Sequence, residues 1–201
     1  MLHKLLRSAA ATAAIAIALP LSAAEIVIGQ VAPFSGPLAP TGNMIRAGAQ
    51  LYIDAANAAG GIHGAKLRLV SRDDAYKAPE TVRLARDLIK ESQPMALLGF
   101  VGTGNVEAMI KEKVLDDAGI PLVGVRTGAS SVVGSGNPWL FITRASYADE
   151  IRKIVEQYAT IGYRRFAVFY QNDPFGQDGL ASAETLIRMN DGQLVAKGSY
   201  E

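Results

Sequence analysis

The residue types that support covalent catalysis are scarce in this sequence. It has no cysteine and only two histidines, His3 near the N-terminus and His63 inside the glycine-rich run 60–64. No Gly-x-Ser-x-Gly motif, which would hold a serine nucleophile on a strand-to-helix turn, is present. A serine–histidine–acid triad would have to use His63, which the surrounding glycines place in a turn. We therefore expect no catalytic residues and predict that the protein is not an enzyme.

Neither a metal site nor a cofactor site is predicted. The acid pairs 73–74 and 116–117 are adjacent in sequence, and neighbouring side chains on a helix or strand point in different directions. We expect the first pair in a turn and the second at a solvated helix end. Gly102 and Gly104 resemble the start of a dinucleotide-binding motif, but Glu107 occupies the position of the third glycine. The run 60–64 lacks the lysine and hydroxyl residue of a phosphate-binding loop.

The segment from Gly102 to Asn105 can bind a small anion. It lies between an apolar strand and a helix, so it combines the hydroxyl of Thr103 with the exposed amides of a helix N-terminus. Such a place suits a substrate carboxylate. The alternative is that Thr103 or Asn105 only caps the helix. From the residues alone both interpretations stay open.

Arg126 is a second candidate for carboxylate binding. It follows the strand 122–125 directly and precedes Thr127 and Gly128. A guanidinium group can donate two parallel hydrogen bonds to a carboxylate. It can equally form an ion pair on the surface.

The first 24 residues predict a secretory signal peptide. Basic residues, including Lys4 and Arg7, precede an apolar stretch 9–19 and the small residues 22–24, with cleavage expected after Ala24. Pro20 interrupts the apolar stretch, which falls short of the roughly 20 residues of a membrane-spanning helix. We therefore expect a periplasmic mature protein that does not span the membrane. Its formal charge changes from +1 to −1 on cleavage, which does not favour nucleic acid as a partner.

Apolar strands alternate regularly with amphipathic helices along the mature chain. Strands are predicted at 26–32, 67–70, 95–100, 122–125, 166–170 and 193–199. A first helix presents Ile45, Tyr52 and Ile53 on one face, and a third helix is predicted to run without a break from about 104 to 117. The pattern is typical of an α/β fold with a doubly wound parallel sheet.

The alternation is interrupted by a stretch rich in glycine and serine at 126–138, and it then resumes with only about two more strands. Because independent sheets usually have four to six strands, we expect the second unit to be incomplete. The predicted organisation is a signal peptide at 1–24, an N-terminal ligand-binding lobe at 25–143, and the start of a truncated second lobe at 144–201. Ligands of open α/β sheets bind at the carboxyl ends of strands, which brings the loops 34–42, 100–105, 126–130 and 171–177 to one mouth.

Several segments taken together resemble a known family. The opening run 26–39, the helix with the glycine cluster 60–64, the strand and loop at 99–105, the turn 119–122 and the segment 172–179 occur in the order typical of type I periplasmic binding proteins of the leucine/isoleucine/valine-binding kind. The resemblance covers the whole mature chain. It implies two α/β lobes that close on a small-molecule ligand, here an amino acid or related carboxylate or amide, and deliver it to the permease subunits of an ABC importer. A ligand sensor or regulator of the same fold is the alternative function.

The resemblance also implies which residues contact the ligand. The implied contacts come from four loops: Thr41, Gly102, Thr103, Arg126, Thr127, Gly128 and Phe175. Two of these positions depart from the family pattern. Branched-chain binders have small residues where this chain has Arg126, and a tyrosine is common where it has Phe175. An arginine there favours a second carboxylate, an aromatic acid or an amide-bearing solute over leucine.

Overall fold

The computed structural model describes residues 24–201, and these form two parallel β-sheets. The first sheet has five strands in the order β2-β1-β3-β4-β5, and the second pairs β6 with β7. The strands of the first sheet are β1 (Glu25–Ala32), β2 (Lys66–Asp73), β3 (Ala96–Leu98), β4 (Leu122–Val123) and β5 (Leu140–Phe141). Those of the second are β6 (Arg165–Gln171) and β7 (Gln193–Tyr200). The predicted signal peptide falls almost wholly outside the described residues.

Helices connect the strands, as a parallel sheet requires. They are α1 (Ala39–Ala58), α2 (Ala78–Ser92), α3 (Thr103–Lys111), α4 (Val114–Ala118), α5 (Ser130–Val133), α6 (Tyr147–Thr160) and α7 (Pro174–Met189). The predicted α/β fold with parallel sheets is confirmed. Among the helices of residues 24–201, none has the length and apolar character needed to span a bilayer.

The main core lies between the first sheet and the helices α2, α3 and α4. Val31, Leu97 and Leu122 come from three neighbouring strands, and all three side chains are fully buried in one cluster with Leu88 and Met109. Burial of each such side chain contributes about 1.5 to 3 kcal/mol. This packing holds the carboxyl ends of β1, β3 and β4 at fixed positions relative to one another.

Strands β3 and β4 are shorter than the strands that we predicted from the apolar runs 95–100 and 122–125. A glycine with positive φ follows each of them, Gly99 at 66° and Gly124 at 67°, and this conformation interrupts the extended backbone. Pairing then resumes as a single parallel bridge between Val101 and Arg126. The kinks therefore keep the two loops side by side beyond the strand ends.

The prediction of one unbroken helix over 104–117 is wrong. The chain breaks at Lys113, which adopts a left-handed conformation with φ 54°, and α4 then begins at Val114. The break lets Val114 and Leu115 turn into the core, where both are buried. Tyr52 was also placed wrongly on the inner face of α1, since 73% of it is exposed. Helix α1 contacts mainly β2, so only a narrow strip around Ile53 is covered.

The second sheet packs against α6 and α7 through a smaller cluster. Val155, Ala183, Leu186 and Ile187 form its buried centre, with Phe166 packed against them. Both helices have a side-chain N-cap: Ser146 accepts from the amide of Asp149, and Asp173 accepts from the amide of Gly176. Each such cap contributes about 1 kcal/mol. The cap at Asp173 fixes the start of α7, which carries Phe175.

Candidate functional site

A small cavity of about 120 Å³ lies where the loops of the two sheets meet. Five of the seven residues that the sequence nominated line it: Thr41, Gly102, Thr103, Arg126 and Phe175. The first four come from the carboxyl-end loops or adjoining helix starts of the first sheet, and Phe175 comes from the start of α7. The geometry thus brings together residues that are up to 134 positions apart in the sequence.

Thr127 and Gly128, the other two nominated residues, lie behind the cavity wall. Thr127 is fully buried, and its hydroxyl oxygen lies 2.7 Å from that of Thr103. The carbonyl of Gly128 accepts a hydrogen bond of 2.8 Å from the amide of Tyr147. A β-carbon on Gly128 would lie 2.7 Å from the carbonyl oxygen of Ala145, so only glycine permits this close approach. Both residues position neighbours that line the cavity.

The pairing of Thr103 with Thr127 leaves one hydroxyl proton to spare. Two hydroxyls carry two protons, and a single hydrogen bond between them uses one. Thr127 also accepts from the amide of Ala129 at 3.3 Å, and it can still donate to Thr103. In that arrangement Thr103 is free to donate its own proton to an acceptor in the cavity, such as a carboxylate oxygen.

The proposal that Thr103 or Asn105 caps α3 is wrong. The N-cap residue is Gly102, and no side chain provides a capping hydrogen bond. The side-chain amide of Asn105 instead donates to the hydroxyl of Thr81 at 2.7 Å. The hydroxyl of Thr81 in turn donates to the carboxylate of Asp74 at 2.6 Å. Thr103 and Asn105 therefore form tertiary hydrogen bonds, and no side chain caps the N-terminus of α3.

Asp74 is buried at the centre of this network. Burial raises the pKa of Asp74, while the hydrogen bonds from Thr81, the Tyr76 amide and Asn105 lower it, and the net shift is upward. Asp73, its neighbour, is exposed and accepts from the amides of Phe34 and Ala75 at 2.8 and 2.9 Å. Both carboxylates thus hold turns together, which agrees with the turn predicted for this pair.

Arg126 has an exposed side chain at the rim of the cavity. Its backbone amide donates to the carbonyl of Phe100 at 2.7 Å, which fixes the residue beside the third loop. Within residues 24–201 its guanidinium forms neither an ion pair nor a side-chain hydrogen bond. The alternative of a surface ion pair therefore has no partner in the part of the chain that the structure describes.

Five residues that line the cavity were not among the nominated site residues: Leu38, Tyr76, Val101, Tyr147 and Gln171. The ring of Tyr147 packs edge to face against Phe175, with centroids 5.2 Å apart. The hydroxyl of Tyr76 donates to Asp173 at 3.2 Å, and burial followed by the charge of Asp173 raises the pKa of Tyr76 well above its usual value. The sequence could have identified Tyr76 as a site residue, since it follows β2 at the same edge of the sheet. It could not have identified Tyr147, because Tyr147 begins helix α6 and does not follow a strand of the sheet.

Four residues of this lining, Arg126, Tyr147, Gln171 and Phe175, also border a larger cavity of about 610 Å³ beside the second sheet. Arg144 enters this second cavity, lies 4.8 Å above the ring of Tyr147 and forms an ion pair with Glu150. The two cavities share these walls. Together they offer the volume typical of a small-molecule site.

Residues 24–201 contain no cluster of three or more histidine, cysteine or acidic side chains that could hold a metal ion. His63 lies in the turn between Ile62 and Ala65 with a left-handed φ of 50°, outside the cavity lining.

The parallel sheets and the cavity between their loops define a class of protein, the type I periplasmic binding proteins. The chain belongs to the periplasmic binding protein family, whose sequence profile matches residues 25–201. This confirms the family resemblance read from the sequence. The family has a solute-binding fold.

Known relatives agree with this membership. An amino acid binding protein of Pseudomonas aeruginosa is 30% identical over 190 residues, which cover 91% of this chain and 49% of the relative. The Leu/Ile/Val-binding protein homolog 7 of Brucella abortus is 27% identical, with 89% and 46% of the two chains covered. The chain therefore spans about half the length of the curated relatives that it matches.

Solved structures show the same relationship. A substrate-binding periplasmic protein from Ralstonia solanacearum superposes with a TM-score of 0.84 at 43% identity, covering 87% of this chain and 49% of that one. An extracellular ligand-binding receptor from Verminephrobacter eiseniae superposes with a TM-score of 0.80 at 32% identity, covering 88% and 49%.

Proposed function

We propose that this chain is part of the extracytoplasmic solute-binding component of an ABC importer and has no enzymatic activity. Its ligand is an amino acid or a related small carboxylate or amide, held between a first lobe at 25–143 and a second lobe that begins at 144. The observation that supports this proposal best is the cavity bordered by Thr41, Thr103 and Arg126 on one side and Phe175 on the other. The Pseudomonas relative is named as an amino acid binding protein, which also supports the proposal.

The cavity offers the right groups for a carboxylate. Thr103 has a hydroxyl proton to donate when Thr127 is the donor of the hydrogen bond between them, and the first amides of α3 follow the cap residue Gly102 without a side-chain partner. The N-terminal end of a helix carries partial positive charge and attracts anions. The guanidinium of Arg126 lies at the rim of the same cavity.

The contacts between the two units suit a closed state. Tyr76 donates to Asp173, and the amide of Ser130 donates to Asp178 at 2.9 Å. Both acceptors belong to the second unit and both donors to the first. Closure of two lobes around a ligand is an established type of domain motion. A few hydrogen bonds of about 1 kcal/mol each can hold the lobes together and still allow them to open.

A solute screen tests the proposed function. The purified protein is heated with a panel of amino acids, organic acids and amides, because a ligand that binds only the native state raises the melting temperature. Uptake of any solute that binds is then compared between cells with and without the gene. We expect a bound solute whose uptake is lost on deletion. A solute that binds without being imported would favour a sensor, and turnover of the solute would contradict a binding role.

A further inference from the structure

We propose that the hydroxyl of Tyr76 is a latch that holds the two units closed through Asp173, and that a buried network around Asp74 positions this latch. The inference rests on the proposed solute-binding function, since a latch has a use only in a protein whose units open and close. It names the residues that regulate this motion. The strain in the backbone, the network behind it and the contact across the units carry the inference in turn.

The backbone at Tyr76 adopts a conformation that is uncommon for residues other than glycine. Ala75 has a φ of 48° and Tyr76 a φ of 63°, so two consecutive residues lie in the left-handed region. Each such residue costs free energy, and strain of this kind persists only where the surrounding contacts fix it. The amide of Ala75 donates to Oδ1 of Asp73 at 2.9 Å. The amide of Tyr76 donates to Oδ1 of Asp74 at 2.9 Å, and the two carboxylates thus hold the strained turn.

Asp74 is held in its turn by two buried side chains. Its Oδ2 accepts from the hydroxyl of Thr81 at 2.6 Å, and that hydroxyl accepts from the side-chain amide of Asn105 at 2.7 Å. All three residues are at most 3% exposed. Thr81 belongs to α2 and Asn105 to α3. Because buried polar networks with satisfied partners are rigid, the turn at Tyr76 is fixed to two helices of the first unit.

The fixed turn directs the side chain of Tyr76 toward the second unit. Its ring packs against Gly102, where a β-carbon would lie 2.6 Å from Cε2 of the ring. Its hydroxyl donates to Oδ2 of Asp173 at 3.2 Å. The same oxygen accepts from the side-chain amide of Gln171 at 2.7 Å, which holds the acceptor in place. The donor belongs to the first unit and the acceptor to the second, so this bond exists only while the units are close together.

A latch of this kind acts on the population of closed molecules. A solute that binds only the closed form has its apparent affinity reduced by the fraction of molecules that are closed. Loss of the latch should therefore weaken the binding of every solute by the same factor and leave selectivity unchanged. The closed population itself can be measured without any solute.

Distances between the two units test the latch directly. The chain has no cysteine, so spin labels can be attached at two introduced positions alone. Lys90→Cys and Arg188→Cys place the labels on exposed positions of α2 and α7. Double electron–electron resonance on the solute-free protein then gives the populations of short and long distances between the labels. We expect both populations in the parent protein.

Variants of Tyr76 and Thr81 should shift these populations together. Tyr76→Phe removes only the hydroxyl, and it should lower the ratio of closed to open molecules about threefold to tenfold. Thr81→Val removes the hydroxyl that holds Asp74 and keeps the branched shape, and it should lower the ratio by up to the same factor. The double variant should match Tyr76→Phe alone, because both changes act on one bond. Thr81→Ser keeps the hydroxyl and should preserve the ratio.

Val82→Ala is the control for a loss of stability alone. Val82 follows Thr81 on α2, but it is buried in the main core and packs there against other apolar side chains. Its truncation should lower the midpoint of urea unfolding, as Thr81→Val does, and leave the ratio of closed to open molecules unchanged. A merely structural role for Thr81 predicts the same unchanged ratio for both variants.

The outcomes separate the latch from the proposed function. An unchanged ratio in Tyr76→Phe would overturn the latch and leave the solute-binding function standing. A lowered ratio in Tyr76→Phe with an unchanged ratio in Thr81→Val would refute the positioning role of the network. If the ratios shift as expected and no solute of the screening panel binds, the latch stands and the proposed function fails.

Discussion

The hydroxyl oxygens of Thr103 and Thr127 lie 2.7 Å apart and join the loops that follow β3 and β4. Both side chains are at most 1% exposed. Their hydrogen bond fixes the two loops relative to each other and uses only one of the two hydroxyl protons. If Thr103 contacts the ligand as proposed, the pair links the stability of the fold to ligand binding.

Thr103→Val tests this link, because valine keeps the branched shape and removes only the hydroxyl. It leaves the buried hydroxyl of Thr127 short of a partner, so the free energy of unfolding in urea should fall by about 1 to 3 kcal/mol. Ligand affinity should fall about fivefold to 150-fold for the same reason. Thr103→Ser should preserve both quantities. Full affinity in a destabilised Thr103→Val protein would show that the hydroxyl only joins the loops.

A pair of glycine substitutions should change stability in opposite directions. Gly102 has a φ of 106°, and a β-carbon there would lie 2.3 Å from Oδ1 of Asn105 and 2.6 Å from Cε2 of Tyr76. Gly102→Ala should therefore destabilise the protein by about 1 to 3 kcal/mol. Gly48 lies inside α1 with nothing within 4 Å of its would-be β-carbon, and Gly48→Ala should stabilise by about 0.5 to 1 kcal/mol. Urea unfolding measures both, and equal signs would contradict the tight packing around Gly102.

Asp74 should make the protein less stable as the pH rises above about 4. Burial raises the pKa of Asp74 from its usual 3.8, so the native state holds this proton to higher pH than the unfolded state does. Its contribution to stability is complete below about 3.8 and is lost as the pH passes through the raised value. Asp74→Asn cannot lose a proton, so its stability should change less between about pH 4 and 7. The exposed Asp117→Asn is the control and should follow the parent protein.

The mature N-terminus is expected to be Glu25, since Ser22 and Ala24 occupy the small-residue positions before the cleavage site. Mass spectrometry of protein isolated from the periplasm measures this directly. Detection of an intact Met1 in that fraction would refute export by cleavage.

The sequence by itself determined the fold class and five of the ten residues that line the small cavity. The alternation of apolar strands with amphipathic helices identified the parallel sheet, because burial follows the periodicity of each element. The strand ends located Thr103 and Arg126, since parallel strands end at a common edge. The fold class and the positions of Thr103 and Arg126 both depend on patterns of neighbouring residues, and such patterns can be read from the sequence alone.

Only the tertiary structure decided what those side chains do. The partners of Thr103 and Asn105 lie 24 residues away in both cases, at Thr127 and Thr81, so no local pattern distinguished tertiary contacts from helix caps. The break at Lys113 accompanies the burial of Val114 and Leu115 in the core. The position of Tyr147 in the cavity wall depends on its contact with Phe175, which belongs to a different helix. Hydrogen bonds and packing act over a few ångströms in space, and the distances that matter are set only when the chain has folded.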